Sequence, residues 1–252
     1  MNRTWKTGAA YRPQSSTLAR ERALGALAAR QHGRVSRAQV LSVGFGAGAI
    51  KRRLAAGRLH AVHRGVYAVG HPCTTREANW MAAVLACGHG ALLSHRDAGA
   101  LRALRPAWGS RINVTVPTSR RPNPHGIHVH RSRLRSEDMT IIDGIPVTSL
   151  ARTLLDLAAI LRPHQLPRAI EAAERRRLLD FGPLRAVLTS NPRHPGARQL
   201  RAALATYTEG TITHRDHEAL LLHLCVEAGL PRPQTNSALT LKDGSTIRPD
   251  LL

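Results

Sequence analysis

From about Thr17 apolar residues recur at helical spacing, with Leu24, Leu27 and Ala28 on one face, and the rhythm ends by Gly33. That pattern predicts a first helix between those points. Ser36 stands where a cap is needed for a short second helix carrying Val40 and Leu41, which stops at Gly44. A third helix is predicted over 47–56, with Gly57 at the left-handed position just past its end. Two β-type runs follow, 59–62 and 66–69, joined by His63-Arg64-Gly65. Further along, helices are predicted over 75–86 and from the Ser94 cap through Leu104. Strand-like alternation marks 112–116 and 127–130 across a loop at 117–126, and Ile145-Pro146-Val147 is a short extended piece. Thr148 or Ser149 caps a helix whose stripe is Leu150, Leu154, Leu157 and Leu161. Three shorter helices fill 163–207, punctuated by Gly182-Pro183 and by 191–196. The last stretch opens with a capping-box pattern, Thr213-His214-Arg215-Asp216, before Leu220, Leu221, Leu224 and Ala228. It closes with a hairpin signal, Asp243-Gly244 between strand-like runs at 237–241 and from 246 on.

Three helices followed by a hairpin is the order of a winged helix-turn-helix. The whole reads as an α+β fold, mainly helical, in four parts. Residues 1–16 are a polar arm read as disordered and basic. Residues 17–70 are the winged helix-turn-helix, 71–210 an α/β middle domain, and 211–252 a separate C-terminal segment.

Charge sharpens this division. The first seventy residues hold thirteen Lys/Arg and one acid, Glu21, while the chain as a whole carries +21. The last 42 residues hold four basic and five acidic side chains. A cationic excess concentrated where the helix-turn-helix pattern lies is the footprint of a polyanion partner. Only Lys6, Lys51 and Lys242 are lysines, so an Arg-rich composition supplies part of the excess, but it does not explain the acidic end. Aromatics make up 3%, too few for the stacking platforms that hold single strands, which points to duplex DNA.

Cys73, Cys87 and Cys225 lack zinc-knuckle or CxxC spacing, so a reduced, cytoplasmic setting is expected. No signal-like apolar core follows Met1, and no run approaches the roughly 20 apolar residues of a membrane span, so no membrane partner is expected.

On the third helix Ile50 and Leu54 stand at i, i+4 and define the inner face. At about 100° per residue Arg52 points away from it, and Lys51 and Arg53 flank it at about 80° from the inner centre. Gly48 and Ala55 beside Arg52 let the backbone approach a groove while Lys51, Arg52 and Arg53 reach phosphates or base edges. From the hairpin, Arg58 and the tip residue Arg64 are placed to grip the backbone, with Gly65 supplying a positive φ in the turn.

Histidines raise a metal question. His128 and His130 alternate on one strand and His125 precedes them, but no carboxylate or thiolate lies nearby until Glu137 and Asp138. His89 and His95 are isolated in the sequence. No cofactor is expected, and Mg2+ enters only if the C-terminal segment is a nuclease. There Glu218 lies on a helix flank and Asp250 on the following hairpin, two carboxylates that could share a divalent ion in phosphodiester hydrolysis. The next strand, which would bring further ligands, does not follow in this sequence.

Several stretches carry a family resemblance. Gly57-Arg58-Leu59 and His63-Arg64-Gly65-Val66-Tyr67, within 17–70, resemble the N-terminal domain of AbiEi-type antitoxins of type IV toxin–antitoxin systems. Leu93-Ser94-His95, Asn113-Val114-Thr115-Val116-Pro117, Val129-His130-Arg131-Ser132, Asp143-Gly144-Ile145-Pro146-Val147-Thr148-Ser149 and Ala151-Arg152-Thr153-Leu154-Leu155-Asp156 resemble proteins that join this domain to a module similar to very-short-patch-repair endonucleases. The resemblance implies a DNA-binding transcriptional regulator that represses its own operator and opposes a nucleotidyltransferase-like toxin; oligomeric state stays open, although winged-helix repressors often pair as homodimers on palindromic DNA. For 211–252 it implies a truncated restriction-endonuclease-like module, in which Glu218 matches the helical acid of the PD-(D/E)XK pattern and Asp250 its first strand acid. The Glu-x-Asp or Glu-x-Lys strand is missing, so the implied nuclease lacks its second catalytic strand.

Overall fold

The computed structural model describes residues 14–72, 74–210, 239–240 and 246–247. The chain is α+β and divides into two units, Met1–Leu200 and Arg201–Leu252. In the first unit, α1 (Gln14–Arg30) leads to a three-residue strand, β1 (Arg34–Ser36). Ser36 ends β1 and caps α2 (Arg37–Ser42): its hydroxyl accepts from Gln39 N at 3.2 Å, and its own N–H donates to Gln39 Oε1 at 2.8 Å. This reciprocal pair satisfies two donors that a bare helix start leaves open. Helix α3 (Ala47–Ala55) ends as its sequence predicts. Gly57 takes φ +65°, Arg58 N donates to Arg53 O at 2.9 Å, and Gly57 N donates to Leu54 O at 3.2 Å, a left-handed termination that only glycine adopts without strain.

Strands β2 (Leu59–His63) and β3 (Val66–Val69) form the expected hairpin, with a bulge between Ala61 and His63. The strand order is β1-β3-β2, all antiparallel, so β1 adds an edge that the sequence pattern alone did not reveal. Gly65 O accepts from Arg37 N at 2.7 Å, which ties the hairpin turn to the first turn of α2. Leu24, Val35, Val40, Phe45, Ile50 and Leu59 close the core beneath this winged helix-turn-helix.

The middle region is a five-stranded mixed sheet covered by helices. Its strands are β4 (Leu92–Leu93), β5 (Ile112–Pro117), β6 (Ile127–Ser132), β7 (Met139–Ile142) and β8 (Ile145–Thr148), in the order β6-β5-β4-β8-β7. Strand β4 is two residues long yet central, antiparallel to β5 and parallel to β8, with Leu93 fully buried. Helices α4 (Arg76–Cys87) and α5 (His95–Leu101) flank it, and α6 (Leu150–Ala158) starts at the Ser149 cap. Then come α7 (Leu166–Arg175), α8 (Phe181–Ser190) and α9 (Ala197–Gly210), the three helices expected there. In the second unit β9 (Leu239–Thr240) pairs antiparallel with β10 (Thr246–Ile247), which agrees with the predicted hairpin. The predicted helix from Thr213, Glu218, Asp250 and most of the basic arm lie outside the described residues.

A turn of the middle sheet also touches the winged helix directly. The turn between β7 and β8 meets the end of α1, where His32 Nε2 lies 2.7 Å from Asp143 O. Gly144, at φ +77°, sits so close that a Cβ there would lie 2.2 Å from Arg30 O. Backbone cannot yield as a flexible side chain can. Gly144→Ala is therefore expected to lower unfolding free energy by about 1–3 kcal/mol in urea titration. Gly25→Ala, where a Cβ meets nothing within 4 Å on the exposed face of α1, is expected to raise it by roughly 0.5–1 kcal/mol.

Candidate nucleic-acid interface

The buried Ile50 side chain, 4% exposed, sets the rotation of α3. Arg52, two residues on and so turned about 200° away, faces solvent, as does Lys51. A Cβ on Gly48 would lie 3.5 Å from Arg52 Nη1, so the guanidinium rests along the bare backbone of the preceding turn. Gly46 caps α3 without a side-chain bond. From the hairpin, Arg58 and Arg64 are also exposed. Among the described residues no carboxylate lies within ion-pair distance of Lys51, Arg52, Arg58 or Arg64.

Arg53 is placed differently from its expected position in the outward row. Its side chain is only 13% exposed, its Nη2 pairs with Glu21 Oε1 of α1, and its Cζ lies 4.2 Å from the centre of the Phe45 ring. The flank angle on α3 is the one from which a long side chain reaches back to α1. Arg53 thus joins two helices and consumes the single acid of the first seventy residues. Beside it lies a recess of about 400 Å³. Arg20 of α1 enters this recess together with Arg52, Arg53 and Arg58. Sequence reading left Arg20 unassigned because only the packing of α1 on α3 brings it there.

A second cluster lies inside the middle region, and no local pattern announces it. Trp80 Nε1 donates to Asp97 Oδ1 at 2.9 Å, and both Asn113 N and Nδ2 donate to Asp97 Oδ2 at 2.8 Å. With its amide N–H spent there, Asn113 Oδ1 accepts from His130 Nε2 at 2.9 Å, so the neutral ring carries its proton on Nε2. His130 stacks between His95, at 3.6 Å, and His128, at 4.3 Å between centroids. His95, isolated in sequence, therefore meets the strand histidines in space. Beyond it lies the fully buried Asp156, whose Oδ1 accepts from Arg152 Nε at 2.9 Å and faces His194 Nε2 at 3.4 Å. Arg152 also donates to Ser132 Oγ at 2.7 Å and lies 3.5 Å from Asp138 Oδ2. Burial resists the charged form of Asp156, but the His194 hydrogen bond and the charges of His95 and Arg152 outweigh it and hold its pKa down. Burial, then His95 and His128, depress His130 to about 3, and burial likewise lowers His95. Among the described residues no group of three or more His, Cys, Asp or Glu is arranged to hold a metal ion. No helix among them is long and apolar enough to cross a membrane.

The class these coordinates define is a winged helix-turn-helix joined to a helix-covered mixed sheet. No protein-family model matches the chain, and no curated protein matches it. Among solved structures, the crystal structure of the RV2827C protein from Mycobacterium tuberculosis is similar over 94% of this chain and 92% of that one, at 16% identity and a TM-score of 0.44.

The histidine stack makes stability depend on pH with a definite sign. His130 is neutral in the fold down to about 3, whereas an unfolded imidazole titrates near 6.5, so between those values the unfolded chain binds more protons. The contribution is complete above about pH 6.5 and is lost as pH falls toward 3. Asp156 loses its own contribution only below its unfolded value of 3.8, so it does not mask the upper part of that window. Urea midpoints followed from pH 7 down to about 4.5 should fall in the wild type and fall less steeply in His130→Gln. Equal slopes would show that the ring gains its proton without leaving the stack.

Proposed function

We propose that this chain is a duplex-DNA-binding transcriptional regulator of the type IV antitoxin kind, acting in the cytoplasm on its own operator and opposing a nucleotidyltransferase-like toxin. The observation that carries the DNA-binding part is the outward edge of α3. Lys51 and Arg52 are exposed, small residues lie around them, and no acid compensates them among the described residues. Arg52 is the candidate base reader, because a guanidinium fork matches the O6/N7 edge of guanine in the major groove. Arg58 and the tip residue Arg64 supply sequence-independent grip on phosphates. Arg53, held by Glu21 and Phe45, positions the helix rather than touching DNA. The toxin-opposing part is supported by the resemblance of the stretches at 93–95, 113–117, 129–132 and 143–156. Two copies on a palindromic site would present two such helices to successive turns of the duplex.

Anisotropy titrations on the duplex upstream of its own gene and on a scrambled duplex, at several salt concentrations, test this reading. Arg52→Ala is expected to lose about 1–3 kcal/mol of discrimination between the two. Arg64→Ala should weaken both alike and reduce the log–log salt slope by roughly 0.9. Indistinguishable wild-type affinities for the two duplexes would refute sequence recognition.

A further inference from the structure

The recess between α1 and α3 continues the outward cation row inward and adds Arg20 to it. Four guanidiniums, those of Arg20, Arg52, Arg53 and Arg58, enter about 400 Å³ bounded also by Phe45 and Ala49. Glu21 neutralises Arg53 alone. Among the described residues Arg20, Arg52 and Arg58 have no carboxylate within ion-pair distance. Arg20 runs close to Gly44: a Cβ there would lie 3.1 Å from its Nε, so its side chain crosses the bare turn before α3.

Three unpaired guanidiniums converging on one concavity repel each other, and an anion placed among them removes that repulsion. Guanidinium forks match the oxygens of a phosphate in pairs, which a carboxylate can satisfy only once. The space exceeds what a bare phosphate fills and falls within the range of small-ligand pockets. Ala49 and the edge of Phe45 left by the Arg53 guanidinium add apolar atoms to its lining. We infer that this recess is a binding site for a sugar phosphate, with Arg20 and Arg58 holding the phosphate, Arg52 at its outer edge and Arg53 fixed behind them by Glu21. The sugar phosphate has two possible sources: the backbone of a DNA strand flanking the groove that α3 enters, or a free phosphorylated sugar or nucleotide. The first source rests on the DNA-binding reading and adds Arg20 to it. The second makes the recess a regulatory site, since its ligand would occupy the Arg52 and Arg58 that the DNA needs.

The experiment compares the full chain with Arg20→Ala and with Arg20→Lys, which keeps the charge and loses the fork. Melting curves of all three establish that each is folded, as expected for an exposed position on α1. If DNA is the source, Arg20→Ala weakens binding to a short random-sequence duplex roughly tenfold, the worth of one charge-assisted contact. The loss is the same for every sequence, the salt slope falls by about 0.9, and Arg20→Lys recovers the slope but not the whole affinity. If a free ligand is the source, ribose 5-phosphate raises the melting temperature of the wild type but not of Arg20→Ala, and it releases the wild type from the duplex. Arg20→Ala changing neither duplex binding nor the ribose 5-phosphate response, while Arg64→Ala still weakens the duplex, overturns the site and leaves the DNA reading standing. A wild type that binds no duplex removes the DNA reading, and a missing ribose 5-phosphate response then removes the recess as well.

Discussion

The rotation of α3 about its axis is the constraint on which the candidate interface depends, and Ile50 sets it. Burying one such side chain is worth roughly 1.5–3 kcal/mol, more than the Arg53–Glu21 pair can supply. That pair has one partner 39% exposed, and exposed ion pairs contribute about 0–1 kcal/mol. Packing therefore decides how the helix sits, and the ion pair, with the Phe45 ring beneath it, decides which cation is spent in holding it there. Because α3 keeps a period of about 3.6 residues, placing Ile50 inside commits Arg52 to the outside. The same helix could not bury Arg52 without exposing Ile50.

The middle region applies a different logic. Arg152 and Asp156 are essentially inaccessible, and an ion pair so deeply buried returns in attraction little more than it loses in hydration. Its contribution is to specificity: Arg152 bonds Asp156 on its own helix, Ser132 at the end of β6 and faces Asp138 before β7. An apolar side chain of similar size could fill the volume but could not select those three partners. The stretches around Ser94-His95, Asn113, His130, Ser132 and Arg152 to Asp156, far apart in the chain, converge on this network and wire a sheet to α6.

What the sequence reveals divides along the same line. Helices with caps were legible to within a few residues, as were the hairpin and the glycine that ends α3, because each is specified by neighbours in the chain. The strands that escaped, β1, β4 and β7, are two to four residues long, and β1 and β4, unlike β3, are not joined to a neighbouring strand by a tight turn that would set them off. Strand β4 is a strand only because β5 and β8 arrive on either side of it. Among the site residues, a helical wheel placed Lys51 and Arg52 outward but gave Arg53 an angle and no partner. Glu21, which supplies the partner, lies 32 residues earlier in the chain. Arg20 and the His95–His130 stack were hidden for the same reason, since each requires a contact between elements whose packing no local pattern encodes.

An Arg-rich chain invites the objection that net charge merely reflects composition, and the structure separates the two uses to which arginine is put. In the middle region three arginines close off carbonyl groups, while others such as Arg111, Arg121, Arg131 and Arg133 stay exposed. Arg102 donates to Thr148 O at 2.7 Å, Arg105 to Gln165 O at 3.1 Å, and Arg96 to Trp108 O at 3.2 Å. Burial pushes the Arg102 guanidinium down to about 10, the mark of a cation spent on structure rather than offered to a partner. On the winged helix the balance reverses: one guanidinium is spent on Glu21, and Arg52, Arg58 and Arg64 remain in water with no acid nearby among the described residues. Holding like charges together in the open is unfavourable in isolation, and at about 0.1 M salt the repulsion persists over roughly 10 Å. Lys51, Arg52, Arg58 and Arg64 gather that cost on one helix and one turn, where a phosphate backbone would relieve it.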